Sequence, residues 1–169
     1  QSIYEAFDFL LEHHVRHLVA THADGTLDGL LTFSDILKAA EFDDFLRVKK
    51  ISSVMSRKVM TLAPDDSVLK GMEVMTTMHI SCVVVVEDGK GLGIFSERDA
   101  ANLVAAGTDL KPLLLADVMT TPLKTTREDE SLLNAYLMMR EQGFRRMVIA
   151  DESDKPIGVI TQFDVIRGM

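Results

Sequence analysis

The sequence predicts an α+β fold built from tandem copies of one small unit, each a three-stranded sheet with two helices in the order β-α-β-β-α. Three observations predict it. A heptapeptide of the form glycine, two apolar residues, hydroxyl, two variable residues, aspartate occurs as GLLTFSD (29–35), GIFSERD (93–99) and GVITQFD (158–164). Its aspartates, Asp35, Asp99 and Asp164, stand 64 and 65 residues apart. Upstream, residues 2–20, 67–85 and 131–149 lie over one another without a gap, as do the lead-ins 54–66 and 118–130. Self-similarity at a fixed period is the signature of a repeat architecture.

Each element of the unit has its own local reason. The lead-ins open with Val-Met and then Ser56 or Thr120, and continue into "VMTL" and "LKTT", which read as short strands. Ser2, Ser67 and Ser131 then stand as N-caps, with Glu5 completing a capping box in the first copy. Apolar residues recur at helical spacing behind each serine: Ile3, Phe7, Leu10 and Leu11; Val68, Met72, Val74 and Met75; Leu132, Tyr136, Met138 and Met139. Gly143 sits where the helix should stop, and His14 and His79 hold the matching positions. The runs "RHLVA", "CVVVV" and "RMVIA" predict the next strand. A turn with Asp-Gly or Asp-Lys-Pro leads to the third strand, which ends in the heptapeptide. A last helix follows in "DILKAAEF", "DAANLVAAG" and "DVIRGM".

This divides the chain into a partial repeat at 1–47, lacking its first strand, and repeats at 48–110 and 111–169. One unit buries too little surface to stand alone, so units should pack in pairs. The connection "EFDDFLRVKK" is charged, whereas "GTDLKPLLLADV" is apolar. The second and third units (48–169) are therefore expected to form the intimate pair, leaving the first without a partner.

Composition excludes several functions. With 18 basic against 26 acidic residues, the net charge of −8 argues against a nucleic-acid partner. The lone cysteine, Cys82, rules out a disulfide within the chain and points to a reducing, cytoplasmic setting. The longest apolar runs, such as "CVVVV" and "PLLLA", are far too short to span a membrane, and no secretory leader is evident. The chain starts at Gln1 and reads as a piece of a larger protein.

The "VMS" and "VMT" openings, the "VRHLVA" and "FRRMVIA" strands and the three heptapeptides together resemble the cystathionine-beta-synthase (CBS) domain family over nearly the whole chain. The resemblance implies tandem CBS repeats paired about a pseudo-two-fold axis into a Bateman module. It implies clefts that take an adenosine-containing regulatory ligand (AMP, ADP, ATP or S-adenosylmethionine), with no obligatory cofactor, and control of an attached effector domain. It also implies that the module itself catalyses nothing; a homodimer is expected because the half unit leaves apolar surface exposed. Carried over by position, Ser96 and Asp99, and Thr161 and Asp164, would face phosphate and ribose; Thr32 and Asp35 belong to the incomplete unit. Ser56, Val59 and Met60, and Thr120, Leu123 and Lys124, would line the base. Ile80, Ser81 and Cys82, and Phe144, Arg145 and Arg146, would lie beside it. Many ligand-binding members carry a proline in this strand, where the chain has Val19, Val84 and Val148. The alternative reading is a structural dimerisation module with no physiological small ligand.

Each polar feature has a bland reading as well. The heptapeptide's hydroxyl and carboxylate, three residues apart, form a capping-box variant with or without a ligand. The same helix N-terminus offers N–H groups to an anion, and a carboxylate can accept two bonds from a vicinal diol. Arg146 is favoured over Arg145 for a phosphate, since alternate strand residues face opposite ways. Arg98, in "ERD", could swing to a phosphate but reads more readily as an exposed helix residue. His13, His14, His17 and His22 lack the converging ligands zinc needs. The helical methionines read as core filling and Cys82 as an inert core thiol. "EDGKGLG" reads as a hairpin turn, not a phosphate cradle, and no nucleophile–base–orienter set, Walker A loop or GxGxxG is present.

Overall fold

The computed structural model describes residues 2–13, 15, 17–32, 35, 36 and 43–168. The first unit supplies α1 (Ile3–Glu12), β1 (His17–Thr21) and β2 (Leu27–Thr32), and α2 (Asp43–Val48) follows it. The second unit runs β3 (Thr61–Leu62), α3 (Val68–Thr77), β4 (Cys82–Glu87), β5 (Lys90–Ser96) and α4 (Glu97–Ala105). A short α5 (Leu115–Val118) leads to β6 (Thr125–Thr126), α6 (Leu132–Gln142), β7 (Arg146–Ala150), β8 (Pro156–Thr161) and α7 (Gln162–Arg167). The β-α-β-β-α order is thus present in the second and third units. His14, Arg16 and most of the first unit's last predicted helix lie outside the described residues.

Sheet pairing repeats with the sequence. β3 runs parallel to β4 and β6 to β7, with Thr61 opposite Val84 and Thr125 opposite Val148. The hairpins pair Val19 with Leu30, Val84 with Ile94 and Val148 with Val159. These are the same repeat positions in each unit, so one binary pattern sets one register three times. Asp88 (φ +49°) and Gly89 (φ +80°) make a tight two-residue turn of the kind favoured in hairpins.

The three serines cap their helices as expected. Ser67 Oγ accepts from the Lys70 N–H and Ser131 Oγ from the Asn134 N–H, each at 3.2 Å. The first unit has the full capping box, the Ser2 N–H donating to Glu5 Oε2 at 2.7 Å and the Glu5 N–H to Ser2 Oγ at 3.2 Å. Such a cap contributes about 0.5–2 kcal/mol. Gly143 closes α6 at φ +72°, where a side chain would be strained.

Two hydrophobic cores result. One belongs to the second unit: Val68, Met75, Val83, Val85, Phe95 and Ala100, closed by Leu115 from the apolar connection. The other is shared: Leu10, Ile36 and Leu46 pack with Leu132, Tyr136 and Met139 of α6. The first unit is therefore not left alone, as the charge of its connection had suggested. That connection contains α2, whose Leu46 is 2% exposed. One buried leucine every turn or two suffices to dock a helix, and flanking charges hide it in composition.

The second and third units meet differently, through their lead-ins. The Ser56 N–H donates to Val159 O and the Val159 N–H to Ser56 O, both at 2.9 Å. Reciprocally, the Thr120 N–H donates to Ile94 O at 2.8 Å and the Ile94 N–H to Thr120 O at 3.1 Å. Each lead-in hooks over the other unit's last strand, giving the pseudo-two-fold pair. The heptapeptide glycines make room for the hooks. A Cβ on Gly93 would lie 2.7 Å from Met119 Sδ and 2.9 Å from Thr120 O, and one on Gly158 2.8 Å from Met55 Sδ. Gly29, their counterpart in the first unit, has nothing within 4 Å. Among the described residues no lead-in crosses the β1–β2 sheet, and Val19 is 64% exposed while Val84 and Val148 are each 1% exposed. No helix among the described residues is long and apolar enough to cross a membrane.

Candidate functional site

A cavity of about 440 Å³ lies between the second and third units. That volume is in the range of small-molecule pockets, roughly 300–1,000 Å³. The second unit supplies the heptapeptide end. Ser96, at the β5–α4 junction, donates from its N–H (2.8 Å) and its hydroxyl (2.6 Å) to Asp99 Oδ2. Asp99 Oδ1 has no hydrogen-bond partner among the described residues, so one carboxylate oxygen remains for other donors.

The third unit supplies the other walls. Its lead-in contributes Thr120, Leu123 and Lys124, and the start of β7 contributes Phe144, Arg145 and Arg146. Ile94, Val148 and Pro122 complete the apolar lining with Leu123 and Phe144. The structure thus brings eight residues singled out from the sequence into one cavity: Ser96, Asp99, Thr120, Leu123, Lys124, Phe144, Arg145 and Arg146. They fall in three groups at least 20 residues apart, and the hooks that cross the pair bring them together. Ile94, Thr121, Pro122, Gln142 and Gly143 also border it without having been singled out as site residues. Thr121 and Pro122 could have been found, since they sit between Thr120 and Leu123; Gln142 and Gly143 carry no signal beyond ending a helix.

The other candidates, Ser56, Val59, Met60, Ile80, Cys82, Thr161 and Asp164, do not line this cavity. Thr161 and Asp164 repeat the cap nonetheless: the Thr161 N–H and hydroxyl donate to Asp164 Oδ2 at 2.8 and 2.6 Å, and the Asp164 N–H to Thr161 Oγ1 at 3.3 Å. Thr32 and Asp35 do the same at 2.9, 2.6 and 3.3 Å. The cap is therefore structural in all three copies, and the Ser96 copy also borders the cavity.

The electrostatics of the cavity run against the chain as a whole. In a protein of net charge −8, Arg98, Lys124, Arg145 and Arg146 border the cavity, and among the described residues Asp99 is the one carboxylate on it. A low-dielectric cleft lined by one sign of charge concentrates ligands of the other. Arg98 is exposed on the first turn of α4, as expected, and borders the cavity. Arg146, expected to face a phosphate, borders the cavity and also donates from Nη1 to the Ser81 carbonyl and, at 3.0 Å, to Ser81 Oγ. It opens β7 facing the second unit, so it ties the pair together, while Arg145 is exposed at the rim.

Cys82 is buried, and burial pushes its thiol up from the ordinary value, with Arg146 pulling down and Glu97 pushing up. That is an unreactive setting. Met75 and Met139 lie in the two cores. His13 packs on Phe9 with ring centres 4.1 Å apart, and His22 Nε2 lies 3.4 Å from Asp28 Oδ1. Among the described residues, no three His, Cys, Asp or Glu side chains converge to hold a metal ion.

Comparison with known proteins is consistent with this geometry. Residues 1–41, 51–106 and 115–169 match the CBS domain family. Inosine-5′-monophosphate dehydrogenase of Methanocaldococcus jannaschii is 35% identical over 121 residues, which are 71% of this chain and 23% of that enzyme. The fold is similar to that of protein MJ1225 from the same organism (TM-score 0.77, 21% identity), covering 99% of this chain and 64% of that one. It is also similar to the CBS domain pair of MJ0100 in complex with 5′-methylthioadenosine and S-adenosyl-L-methionine (TM-score 0.65, 20% identity, 70% of this chain and 98% of that one). A further likeness is to CBSX2 in complex with AMP (TM-score 0.61, 24% identity, 70% and 93%). The chain thus spans less than two thirds of the dehydrogenase and of MJ1225. Three family matches, laid over repeats that share one register and one cap, establish that the chain belongs to the CBS domain family.

Proposed function

We propose that the paired second and third units are a regulatory module that binds an adenine nucleotide (AMP, ADP or ATP) in the cavity above Ser96 and Asp99. The observation that carries this reading is the cavity's composition. A carboxylate oxygen of Asp99 that could accept a diol, an apolar lining that includes Leu123 and Phe144, and a cationic rim lie together around about 440 Å³. A ribose, a base and a phosphate need those three environments. The N-terminus of α4, nine residues long, adds its dipole on the phosphate side. Relatives solved with AMP or with S-adenosyl-L-methionine support an adenosine ligand. The cations favour a phosphate over the sulfonium of S-adenosylmethionine.

The ligand would touch both units, the heptapeptide of one and the lead-in of the other. It therefore favours whichever arrangement of the pair brings these closest, and shifts the population by its difference in affinity for the two arrangements. A coupling of about 1–3 kcal/mol is the usual scale. The module passes this shift to an effector domain of the same polypeptide and works as a homodimer. The exposed face at Val19, Leu27 and Leu30 supports such association.

A thermal-shift panel with AMP, ADP, ATP and S-adenosylmethionine tests the reading. A ligand at 100 times its dissociation constant adds about 2.7 kcal/mol of stability. At least one adenine nucleotide should raise the midpoint, and Asp99→Ala should remove the rise. A flat panel would leave the structural dimerisation module as the answer.

A further inference from the structure

The pair is symmetric in backbone and asymmetric in charge. Every residue bordering the cavity has a counterpart 64 or 65 residues away, on the lead-in, helix end and strand of the second unit and the heptapeptide of the third; the pseudo-symmetry of the pair implies a second cleft among these counterparts. The capping hydroxyl and carboxylate are kept there, as Thr161 and Asp164, with the same bond lengths of 2.8 and 2.6 Å. The hook is kept too, as Ser56 on Val159. The cations are not. Lys124 corresponds to Met60, Arg98 to Phe163, Arg145 to Ser81 and Arg146 to Cys82. Each of the four positions that brings a positive charge to the first cleft brings a neutral side chain to the second.

Neighbouring charges widen the difference. The Gln162 N–H donates to Arg145 O at 3.0 Å, and at the equivalent place the Glu97 N–H donates to Ser81 O at 3.1 Å. A carboxylate thus stands beside the second cleft's strand where the first has a neutral amide. The second lead-in has two cations of its own, Arg57 and Lys58, at the positions of Thr121 and Pro122. Arg57 is taken up by Glu128, Nη2 to Oε2 at 2.8 Å. One cation on an exposed lead-in remains against four around the first cavity.

We propose that the two clefts are sorted by charge: the Ser96–Asp99 cleft recognises the phosphate of its ligand through Lys124, Arg145 and Arg98, and the Thr161–Asp164 cleft does not recognise phosphate. One chain then binds one phosphorylated ligand, not two. This rests on the nucleotide reading above and adds the residues that select phosphate. Arg146 contributes less, because Ser81 already holds its Nη1. Phosphate held by planar or ammonium donors gains strongly from each charge-assisted bond.

The test is isothermal titration of the 169-residue chain with AMP and, separately, with adenosine, for wild type and for the double variant Lys124→Met, Arg145→Ser, which copies the second cleft's residues into the first. Both side chains are exposed, so the variant's unfolding midpoint should match wild type and confirm that it folds. The expected wild-type result is one AMP per chain. The double variant should lose at least tenfold in AMP affinity while its adenosine affinity stays within twofold. Two AMP per chain, or equal losses for AMP and adenosine, overturns the charge sorting and leaves the nucleotide reading standing. No heat from either ligand with wild type overturns both.

Discussion

Gly93→Ala should weaken the pair, whereas the same change at Gly29 should not. The added Cβ would lie 2.7 Å from Met119 Sδ, 2.9 Å from Met119 Cγ and 2.9 Å from Thr120 O. A methionine end can swing away. The Thr120 carbonyl cannot, because it accepts from the Ile94 N–H at 3.1 Å and belongs to the hook. Overpacking of this kind costs about 1–3 kcal/mol. For a chain of this size 1 kcal/mol moves the midpoint by roughly 2–4 °C, so a fall of about 2–12 °C is expected. Gly158→Ala meets Met55 Sδ at 2.8 Å but the Ser56 carbonyl only at 3.2 Å, so its cost belongs at the lower end. Gly29→Ala meets nothing within 4 Å and has no positive φ. There the loss of chain entropy in the unfolded state should give no cost, or a gain of about 0.4–1 kcal/mol. Thermal unfolding followed by circular dichroism compares the three. Equal costs at Gly93 and Gly29, or no cost at Gly93, would refute the claim that these glycines exist to admit the hooks.

Four other outcomes follow from the packing. Leu46→Ala should cost about 2–5 kcal/mol in denaturant unfolding, because that side chain closes the core shared by the first and third units; a change below 0.5 kcal/mol, about the level of a surface substitution, would contradict that placement. Ser131→Ala should cost about 0.5–2 kcal/mol by orphaning the Asn134 N–H, and Ser131→Asp should restore most of it. Cys82 should react with a thiol reagent only slowly at pH 8 in the folded chain and rapidly in denaturant. Because its folded value is raised, its neutral thiol adds stability in full below the unfolded value of about 8.5, and that stability is lost as pH rises through the folded value. Unfolding midpoints measured across that range should fall for wild type and fall less for Cys82→Ala.

Much of the fold was legible because each unit states its own rules. Serine caps, helical apolar spacing, β-branched runs and Asp-Gly turns each act within a few residues, and the repeat states them more than once. The capping role of Ser96 and Asp99 was legible for the same reason. What the sequence hid was long-range. Leu46 lies in a stretch whose charges dominate composition, so the docking of α2 onto α6 did not show. Arg146 and Arg145 stand side by side, and only the pairing of units shows that Ser81 takes the first of them. The cavity itself draws one wall from the second unit and two from the third, so no local pattern marks which heptapeptide opens onto it.

The most direct measurement is a crystal structure of the chain grown with saturating AMP. The account predicts the nucleotide between the second and third units, its ribose hydroxyls on Asp99 Oδ1 and its base between Leu123 and Phe144. The phosphate should lie within hydrogen-bond reach of Lys124, Arg145 or Arg98. AMP seated elsewhere, or a cavity that stays empty at that concentration, would contradict it.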